Sequence, residues 1–292
     1  MIRTNKDRLV MISVMGGVSA PSFRHPYSVG HDGVGRVLPG VGGVTYNVRV
    51  GDPAFGWAAD HVEPGVSSKD KDEAVNGGYN TLSCVGNKAT VVTGEAKGAI
   101  GTVTGKHGGI EHVIIDFPQE ALEKLAVGDR IQVRGYGQGL ELPDFPRIKL
   151  LNLDPGLFET MGAEAVAGKL RLPVVGIVPP ELMGSGIGST PTERGDYDIT
   201  AHDHAALVEA GLDQLRLGDI VAIRDHSTAY GRDYQRGAMS VGVVIHTDSF
   251  VSGHGPGVTA LMTSTEGSLE PVVASRANIA DYLDLRRQEA RP

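Results

Sequence analysis

Histidine and aspartate side chains gather around one strongly β-forming stretch of the sequence, residues 224–258. A run rich in Val and Ile, Met239 to Ile245, predicts a strand. His246 and Asp248 follow it at spacing i, i+2, so in an extended chain both side chains point to the same side. His254 comes next, in a loop whose glycines let the backbone approach a ligand closely. These residue types predict a site for a divalent cation or a small molecule, with polar turns of a β-rich core as the alternative.

A second group of candidate ligands lies in the segment Asp60-His61-Val62-Glu63. If this segment is extended, His61 and Glu63 share one face, which suits joint binding of a divalent cation. No fixed metal-binding spacing such as HExxH is present, so a polar loop is the alternative interpretation. The predicted metal ligands are His61, Glu63, His246, Asp248 and His254.

Proton transfer is predicted for an overlapping set of residues. His107 lies in the segment Lys106-His107-Gly108-Gly109, and Asp225 with His226 follows the apolar run 220–223. Imidazole and carboxylate groups are the usual acids and bases near neutral pH. The candidate catalytic residues are His107, Asp225, His226 and Glu63. The segment 106–109, with His112, could also bind an anion, and a solvated histidine in a hairpin loop is the alternative for His107.

Glycine-framed polar residues indicate where a small substrate would bind. The loop MGSGIGS, residues 183–189, matches neither the nucleophile motif GxSxG nor the dinucleotide motif GxGxxG, so no nucleotide cofactor is expected. Its N–H groups suit a carboxylate or a phosphate, and arginine suits bidentate binding of a carboxylate. A structural glycine loop and ordinary surface charge are the alternatives. The candidate substrate-binding residues are Lys106, Gly184, Ser185, Gly186, Asp196, Asp198, Tyr230, Arg232 and Cys84.

The elements that must position these residues are mostly short strands. Glycine is abundant, 41 of 292 residues, and separates short Val- and Ile-rich runs, which predicts an α+β fold that is mainly β. The unit apolar-x-apolar-Gly-Asp recurs at 48–52, 125–129 and 215–219, which predicts two β-rich subdomains with related strand units, 1–152 and 153–292. A few short helices are expected near 118–126, 154–166, 203–210 and 276–288, the last one at the C-terminus.

Composition excludes several classes of partner. The net charge is −8 and no basic stripe appears, so a nucleic-acid surface is not expected. No apolar run approaches the length of a membrane span or of a signal-peptide core, so no membrane partner is expected. The lone cysteine, Cys84, fits a reducing cytoplasm, and we expect it to be buried or half-buried near the cleft and not to be essential as a nucleophile. Many short edge strands predict a homo-oligomer.

Seven segments, in order, resemble a bacterial and archaeal family of domains of unknown function: GDPAFGWAADHVEPGVS (51–67), SCVGNKA (83–89), GTVTGKHGGIEHV (101–113), MGSGIGS (183–189), GDYDI (195–199), LRLGDIVAI (215–223) and SGHGPGV (252–258). The resemblance implies a soluble, β-rich, oligomeric protein and carries over no catalytic residues. The Gly-Asp strands and the GHGPG loop are also similar in style to the acetamidase/formamidase proteins, which are metal-associated hydrolases of small amides.

The sequence as a whole predicts an enzyme that acts on a small polar metabolite. The expected chemistry is metal-assisted hydrolysis, or ring opening or closing, at an amide-like C–N bond, with a divalent cation as cofactor. The loop 184–189 would hold the anionic end of the substrate. Two alternatives stay open: a metal-free cyclase, lyase or isomerase that works by acid–base catalysis, and a non-catalytic protein that binds a small metabolite.

Overall fold

The computed structural model describes residues 2–23 and 27–285. The described strands, in chain order, are β1 (Ile12–Val18), β2 (Ser28–Val29), β3 (Gly35–Arg36), β4 (Val44–Thr45), β5 (Gly65–Lys69), β6 (Lys88–Val91), β7 (Ile100–His107), β8 (His112–Asp116), β9 (Arg130–Gly135), β10 (Lys149–Leu150), β11 (Glu164–Val166), β12 (Lys169–Val174), β13 (Gly176–Val178), β14 (Asp196–Asp198), β15 (Ile220–Ser227), β16 (Asp233–Val244), β17 (Gly257–Ser264) and β18 (Leu269–Val273). The helices are α1 (Glu73–Leu82), α2 (Gln119–Leu122), α3 (Pro155–Thr160), α4 (His204–Glu209) and α5 (Ile279–Tyr282). The prediction of a mainly β α+β protein with few short helices is confirmed.

The N-terminal half forms a closed antiparallel barrel. Its strands follow the order β1-β9-β6-β7-β8-β5, and β4 adds to β5. Because β1 also pairs with β5, through Gly17 with Lys69 and Val18 with Ser68, the sheet closes on itself. Closure removes the free edges that an open sheet would expose. The core of the barrel includes the buried side chains of Val66, Val103, Ile115, Ile131 and Val133.

The C-terminal half is built on a sheet of order β10-β17-β16-β15-β13, with β14 paired to β17. A smaller sheet of order β11-β12-β18 lies beside it. Side chains of β15 alternate between two cores, since Ile220 and Ala222 belong to one cluster and Val221 and Ile223 to the other. A strand buried on both faces explains why this stretch of the sequence is continuously apolar.

The repeated Gly-Asp unit folds as the same turn in all three places. In each copy the aspartate carboxylate accepts the backbone N–H of the residue three positions earlier, at 2.8 Å for Asp52, 2.9 Å for Asp129 and 2.7 Å for Asp219. The glycine before each aspartate has a positive φ, between 88° and 94°. Such a φ is costly for residues with a side chain, which explains why glycine stands there.

Each of the four predicted helical regions contains a helix, but the helices are shorter than expected. The C-terminal prediction extends to residue 288, and its part beyond 285 lies outside the described residues. Helix α1 is not predicted by the sequence pattern, because Gly77 and Gly78 lower its helix propensity. Asp72 caps it by accepting the N–H of Val75 at 2.9 Å. Among the described helices, none is long and apolar enough to cross a membrane.

The two halves meet where β7 of the barrel lies against β17. The N–H of Lys106 donates to Thr259 Oγ1 at 3.1 Å, and that hydroxyl donates to the Lys106 carbonyl at 2.9 Å. Gly105 permits this approach, because a Cβ there would lie 2.3 Å from the Ile245 side chain. His107, the last residue of β7, is thereby placed beside the C-terminal strands.

Candidate metal centre

Six imidazole and carboxylate side chains from both halves converge where β7 ends. They form two groups, and within each group the potential ligand atoms lie within 4.8 Å of one another. The groups adjoin, since the ring centroid of His61 lies 5.0 Å from that of His246 and 5.8 Å from that of His107. We name them the outer group, His61, Asp198 and His254, and the inner group, His107, Asp196 and His246.

The inner group contains a pair of buried atoms that a cation would satisfy. His246 Nε2 and Asp196 Oδ2 are 2.9 Å apart and form an ion pair when His246 is protonated, and neither atom has a further hydrogen-bond partner among the described residues. Gly257 leaves the space for them, because a Cβ at that position would lie 2.0 Å from Asp196 Oδ2 and 2.2 Å from His246 Nε2. A buried imidazole nitrogen that faces a carboxylate oxygen in this way offers two ligand atoms to a cation that replaces the proton.

The surroundings of His246 favour positive charge at its Nε2. Its Nδ1 lies 2.7 Å from the carbonyl of Thr247, so Nδ1 carries the proton and Nε2 faces the carboxylates. Burial by itself would lower the pKa of His246, but Asp196 and Asp198 raise it well above its ordinary value. A divalent cation at Nε2 would satisfy the same two carboxylates that favour the proton.

The Glu63 carboxylate orients two histidines through their Nδ1 atoms. Its carboxylate lies 2.7 Å from His107 Nδ1 and 2.9 Å from His112 Nδ1, and it also accepts the Ser67 hydroxyl. Burial would raise the pKa of Glu63, but the two histidines hold it well below its ordinary value. A carboxylate that accepts Nδ1–H of His107 fixes the ring so that its Nε2 is the free nitrogen, as in carboxylate–histidine–metal sites.

The outer group has the same kind of support. His61 Nδ1 lies 3.3 Å from Asp60 Oδ1, while its Nε2 lies 2.9 Å from His254 Nδ1. Asp198 Oδ2 lies 3.0 Å from His254 Nδ1 and 3.7 Å from His61 Nε2. His61 has a φ of 56°, a conformation that costs free energy and tends to occur at functional sites.

Strand β14 supplies both aspartates because of its two-residue period. Asp196 and Asp198 point to one side, and Tyr197 between them packs into the core on the other. The Gly108 N–H donates to Asp196 Oδ1 at 2.7 Å, which leaves Oδ2 for the inner group. Gly195 and Gly108 make this contact possible, because a Cβ on Gly195 would lie 2.6 Å from the Gly108 Cα.

A cavity of about 390 Å³ opens onto the two groups. A cavity of this size fits a small metabolite. It offers two arginines, three hydroxyls and one further carboxyl group besides the ligand set. The lining residues outside the two groups include Glu111, Ser185, Gly186, Thr190, Arg194 and Arg232.

Two family models cover most of the chain. The model described as domain of unknown function DUF4438, N-terminal, matches residues 27–159, and its C-terminal counterpart matches residues 160–283. The chain belongs to the DUF4438 family. The predicted membership of a family of domains of unknown function is therefore confirmed.

One solved structure is similar to this DUF4438 protein over nearly its whole length. It is titled "Crystal structure of TM1086" and shares 50% sequence identity, with a TM-score of 0.93. The match covers 96% of this chain and 99% of that chain. No curated protein matches this chain. The family and its fold are thus known, and the chemistry must be argued from the site.

Of the five predicted metal ligands, three lie in the two groups: His61, His246 and His254. Glu63 lies behind them, because its oxygens are taken by His107, His112 and Ser67. Asp248 lies outside the groups, because β16 ends at Val244 and the chain is no longer extended with a two-residue period. Its backbone N–H donates to the Ala54 carbonyl, and burial raises the pKa of its carboxyl group to about 6.

Two of the predicted catalytic residues lie away from the cavity. Asp225 accepts the N–H of Gly237 at 2.7 Å, where the register of β15 and β16 shifts. His226 is buried, and its Nδ1 lies 3.1 Å from the Arg224 carbonyl. The β-bulge at this point gives both residues a structural role. His107, which is also predicted to be catalytic, lies in the inner group and is therefore a candidate metal ligand.

The predicted substrate-binding residues separate into three sets. Ser185, Gly186 and Arg232 line the cavity, and Asp196 and Asp198 are in the two groups. Gly184 does not line the cavity; it packs against the Gly253 carbonyl, which a Cβ would meet at 2.1 Å. Tyr230 is 89% exposed, and Lys149 Nζ lies 4.5 Å from its ring centroid.

Lys106 and Cys84 are both buried outside the cavity. Lys106 points away from His107, as neighbours on a strand must, and donates to Asn152 Oδ1 at 2.7 Å and the Glu193 carbonyl at 2.8 Å. Burial lowers the pKa of Lys106 to about 8 and raises the pKa of the Cys84 thiol to about 11. A thiol with so high a pKa is a poor nucleophile at neutral pH, and this one does not line the cavity.

Sequence reasoning assigns no site role to Glu111 and Arg194, which line the cavity, and it places His112 only in a candidate anion-binding loop. In the structure His112 forms a hydrogen bond to Glu63 through its Nδ1. It is also the cross-strand partner of His107 in the β7–β8 hairpin. The motif His-x4-His around two glycines is a usable signal for this role, because a tight hairpin brings both ends to one place. Arg194 and Glu111 lie in polar turns and carry no such signal.

Proposed function

We propose that this protein is a metal-dependent hydrolase that opens an amide-like C–N bond in a small polar metabolite. The inner and outer groups would each hold one divalent cation. Ring opening or closing of a cyclic amide belongs to the same chemistry, since it makes or breaks the same bond.

One observation carries the proposal: His246 Nε2 and Asp196 Oδ2, both buried, face each other at 2.9 Å, and neither has a further hydrogen-bond partner among the described residues. A proton on His246 Nε2 pairs the two atoms when no metal is bound, and a divalent cation in place of that proton would be bound by both. The donor set of each group is two histidines and one aspartate, which suits Zn²⁺ and similar divalent transition metals.

Paired metal ions would activate a water molecule and polarise the carbonyl carbon that the water attacks. The protein's own contribution is to fix the ligands before the substrate arrives. Glu63, Asp60 and the Thr247 carbonyl each hold the Nδ1 of one histidine, so that three Nε2 atoms face the site.

Glu111 is the candidate for moving the proton. It lines the cavity and is half-buried, and burial raises the pKa of its carboxyl group. A carboxyl group with a raised pKa can accept a proton from water and return it to the departing nitrogen. In this proposal Glu111 replaces the Asp225–His226 pair, which does not reach the cavity.

Elemental analysis of protein purified without an affinity tag tests the proposal. We expect one to two equivalents of a divalent transition metal per chain. The variants His246→Ala and Asp196→Asn should lose the metal of the inner group, and with it any release of amine or carboxylate from a substrate. Candidate substrates come from a thermal-shift screen of small amides, lactams and amino-acid derivatives.

His226→Ala is the matched control, because His226 is buried in the same half of the protein but lies outside the two groups. It should keep its metal. A tag-free protein that contains no metal, and takes up none on dialysis against Zn²⁺, Mn²⁺ or Co²⁺, would contradict the proposal.

Two alternative functions have distinct outcomes in the same experiments. A metal-free protein that still converts a ligand would be a cyclase, lyase or isomerase acting through Glu111 and the histidines. A metal-free protein whose melting temperature rises with a ligand that it never alters would be a binding protein. The short 2.9 Å contact between His61 Nε2 and His254 Nδ1, a reasonable hydrogen bond, is what favours these alternatives.

We also propose the compartment, the partner and the assembly of this protein. Cys84, the one cysteine in the chain, fits a reducing cytoplasm, where free thiols persist. A small metabolite is the expected partner, because the cavity is too small for a polymer to enter. A homo-oligomer is the expected assembly.

A further inference from the structure

Arg232 is a buried cation without a counter-ion in direct contact among the described residues. Its side chain lines the cavity, the residue is only 4% exposed, and its Nε has no hydrogen-bond partner in the described part of the chain. The nearby acids Asp196, Glu111 and Asp198 act on its charge from a distance. Burying an unpaired guanidinium costs free energy unless something pairs with it, so its presence calls for an anion.

The backbone of Arg232 is fixed by the glycine-rich loop on the cavity wall. The Gly188 N–H donates to the Arg232 carbonyl at 2.7 Å, and the Arg232 N–H donates to the Ser189 carbonyl at 3.1 Å. Its guanidinium carbon lies 5.9 Å from the centroid of the Tyr197 ring, the residue between the two aspartate ligands. Its Nη2 lies close to Gly195, where a Cβ would be 3.2 Å away, so the cation lies beside the residue that precedes Asp196.

Arg194 adds a second cation to the same wall. It lines the cavity, and its Nε donates to Thr81 Oγ1 at 3.2 Å, which steadies the guanidinium. Helix α1 leaves room for it at Gly77, where a Cβ would lie 2.8 Å from Arg194 Nη2. Ser185 and Thr190 line the cavity near by and offer hydroxyl donors.

We propose that the substrate carries a carboxylate and that Arg232, with Arg194, binds it. This inference rests on the proposed function for the identity of the bond that is cleaved: the substrate class becomes small acidic amides, such as N-acyl or cyclic derivatives of amino acids. The planar guanidinium matches a carboxylate in a bidentate fashion, which sets the orientation of the scissile bond over the two groups.

A pair of probes that differ only in charge tests the inference. N-acetylglycine carries a carboxylate, and N-acetylglycinamide is its neutral analogue. Isothermal titration calorimetry of the wild-type protein should show that N-acetylglycine binds more tightly than N-acetylglycinamide. Arg232→Met should weaken its binding by about thirtyfold or more, because the carboxylate loses a buried, charge-assisted partner. Arg194→Met should weaken it less, since Arg194 is not fully buried.

The thermal stability of the ligand-free variant separates binding from a structural role. Arg232→Met should melt no lower than wild type, because it removes an unpaired buried charge, whereas loss of a structural arginine would lower the melting temperature. Arg236→Met is the matched control, since Arg236 is exposed on the same hairpin, and it should change neither measurement.

Equal binding of the two probes by wild type, or unchanged binding of N-acetylglycine by Arg232→Met, would overturn the carboxylate site. Metal content is measured separately on the same samples. A metal-free wild type that still prefers N-acetylglycine would refute the hydrolase proposal and leave the carboxylate site standing. A metal-loaded wild type without this preference would refute the carboxylate site and leave the hydrolase proposal standing.

Discussion

At the scale of single residues, the sequence indicates the histidines better than the carboxylates. His61, His246 and His254 stand out because each lies beside an apolar strand or a glycine-rich turn. The two-residue spacing rule fails for His246 and Asp248, because the strand has already ended there. The same rule does hold for Asp196 and Asp198, but β14 is only three residues long and follows a polar loop, so its period is not visible in the sequence.

Substitution of Glu63 tests whether its carboxylate fixes the orientation of the histidines. Glu63→Gln replaces an acceptor oxygen by an amide N–H that faces the Nδ1–H groups of His107 and His112. Because one of these histidines then loses its orientation, metal affinity should fall by about 10- to 100-fold. Competition with a fluorescent chelator measures the change.

Asp225→Asn is the control for Glu63→Gln, because Asp225 is likewise a hydrogen-bonded carboxylate but lies outside the cavity. Its metal affinity should equal that of wild type. If Glu63→Gln binds metal as tightly as wild type, His107 is not a ligand that depends on Glu63, and the inner group has been assigned to the wrong chemistry.

At the scale of elements, the repeated Gly-Asp unit is visible in the sequence because its turn is entirely local. A positive φ at glycine and a carboxylate bound to an N–H three residues earlier need no distant partner. Closure of the barrel is not visible, because the pairing of Gly17 with Lys69 depends on how far the sheet twists and on the register of the other strands. Local rules therefore predict the units, and long-range pairing decides their arrangement.

Two glycines in equivalent turns offer a matched pair of substitutions. Gly128 has a φ of 94°, and a Cβ added there would meet no atom within 4 Å, whereas Gly218, with a φ of 88°, would place a Cβ 2.5 Å from Val50 Cγ1. Gly128→Ala adds backbone strain alone and should lower the free energy of unfolding by about 1 kcal/mol. Gly218→Ala adds steric overlap and should cost about 3 kcal/mol. Urea unfolding followed by circular dichroism measures both.

The difference between the two alanine variants is the informative quantity, because the backbone strain is common to both. A Gly218→Ala variant no less stable than Gly128→Ala would show that the junction between Val50 and the 215–219 turn is loosely packed. The two halves would then be less firmly joined than the backbone bonds Gly51 N–H to Leu217 O at 2.6 Å and Leu217 N–H to Asp52 O at 2.9 Å indicate.

At the scale of the whole molecule, both family domains are needed to build each group of ligands. His61 and His107 come from the N-terminal domain, while the aspartates, His246 and His254 come from the C-terminal domain. No sequence pattern within one domain contains a complete ligand set, which is why the sequence suggests several partial sites. The contact of β7 with β17 through Thr259 brings the parts together. A site between domains is a common place for a small-molecule pocket.

The hairpin of β2 and β3 exposes more apolar surface than a monomer needs. Val37 is 69% exposed, Val29 is 55% exposed, and both lie in or next to this hairpin. The hairpin is anchored on the loop that leads to His254, since the His31 N–H donates to the Phe250 carbonyl at 2.8 Å and the Arg36 guanidinium lies 4.5 Å from the Phe250 ring centroid. Clustered exposed apolar side chains mark surfaces of association, and a second copy of this chain is the simplest partner.

We therefore predict a homo-oligomer in which this hairpin is covered. Light scattering at micromolar concentration should give a mass of at least two chains, and the double variant Val29→Glu/Val37→Glu should give a monomer, because four carboxylates would face one another across a two-fold interface. Val127→Glu is the control, since Val127 is 58% exposed in the turn before β9 and is not part of the hairpin. It should leave the mass unchanged. A wild-type monomer, or a double variant that keeps the oligomeric mass, would show that the hairpin is not the interface.

The anchoring of the hairpin on the 250–254 loop adds one further consequence: dissociation should loosen the outer group first, so the monomeric variant should lose the metal of His61 and His254 before that of His246.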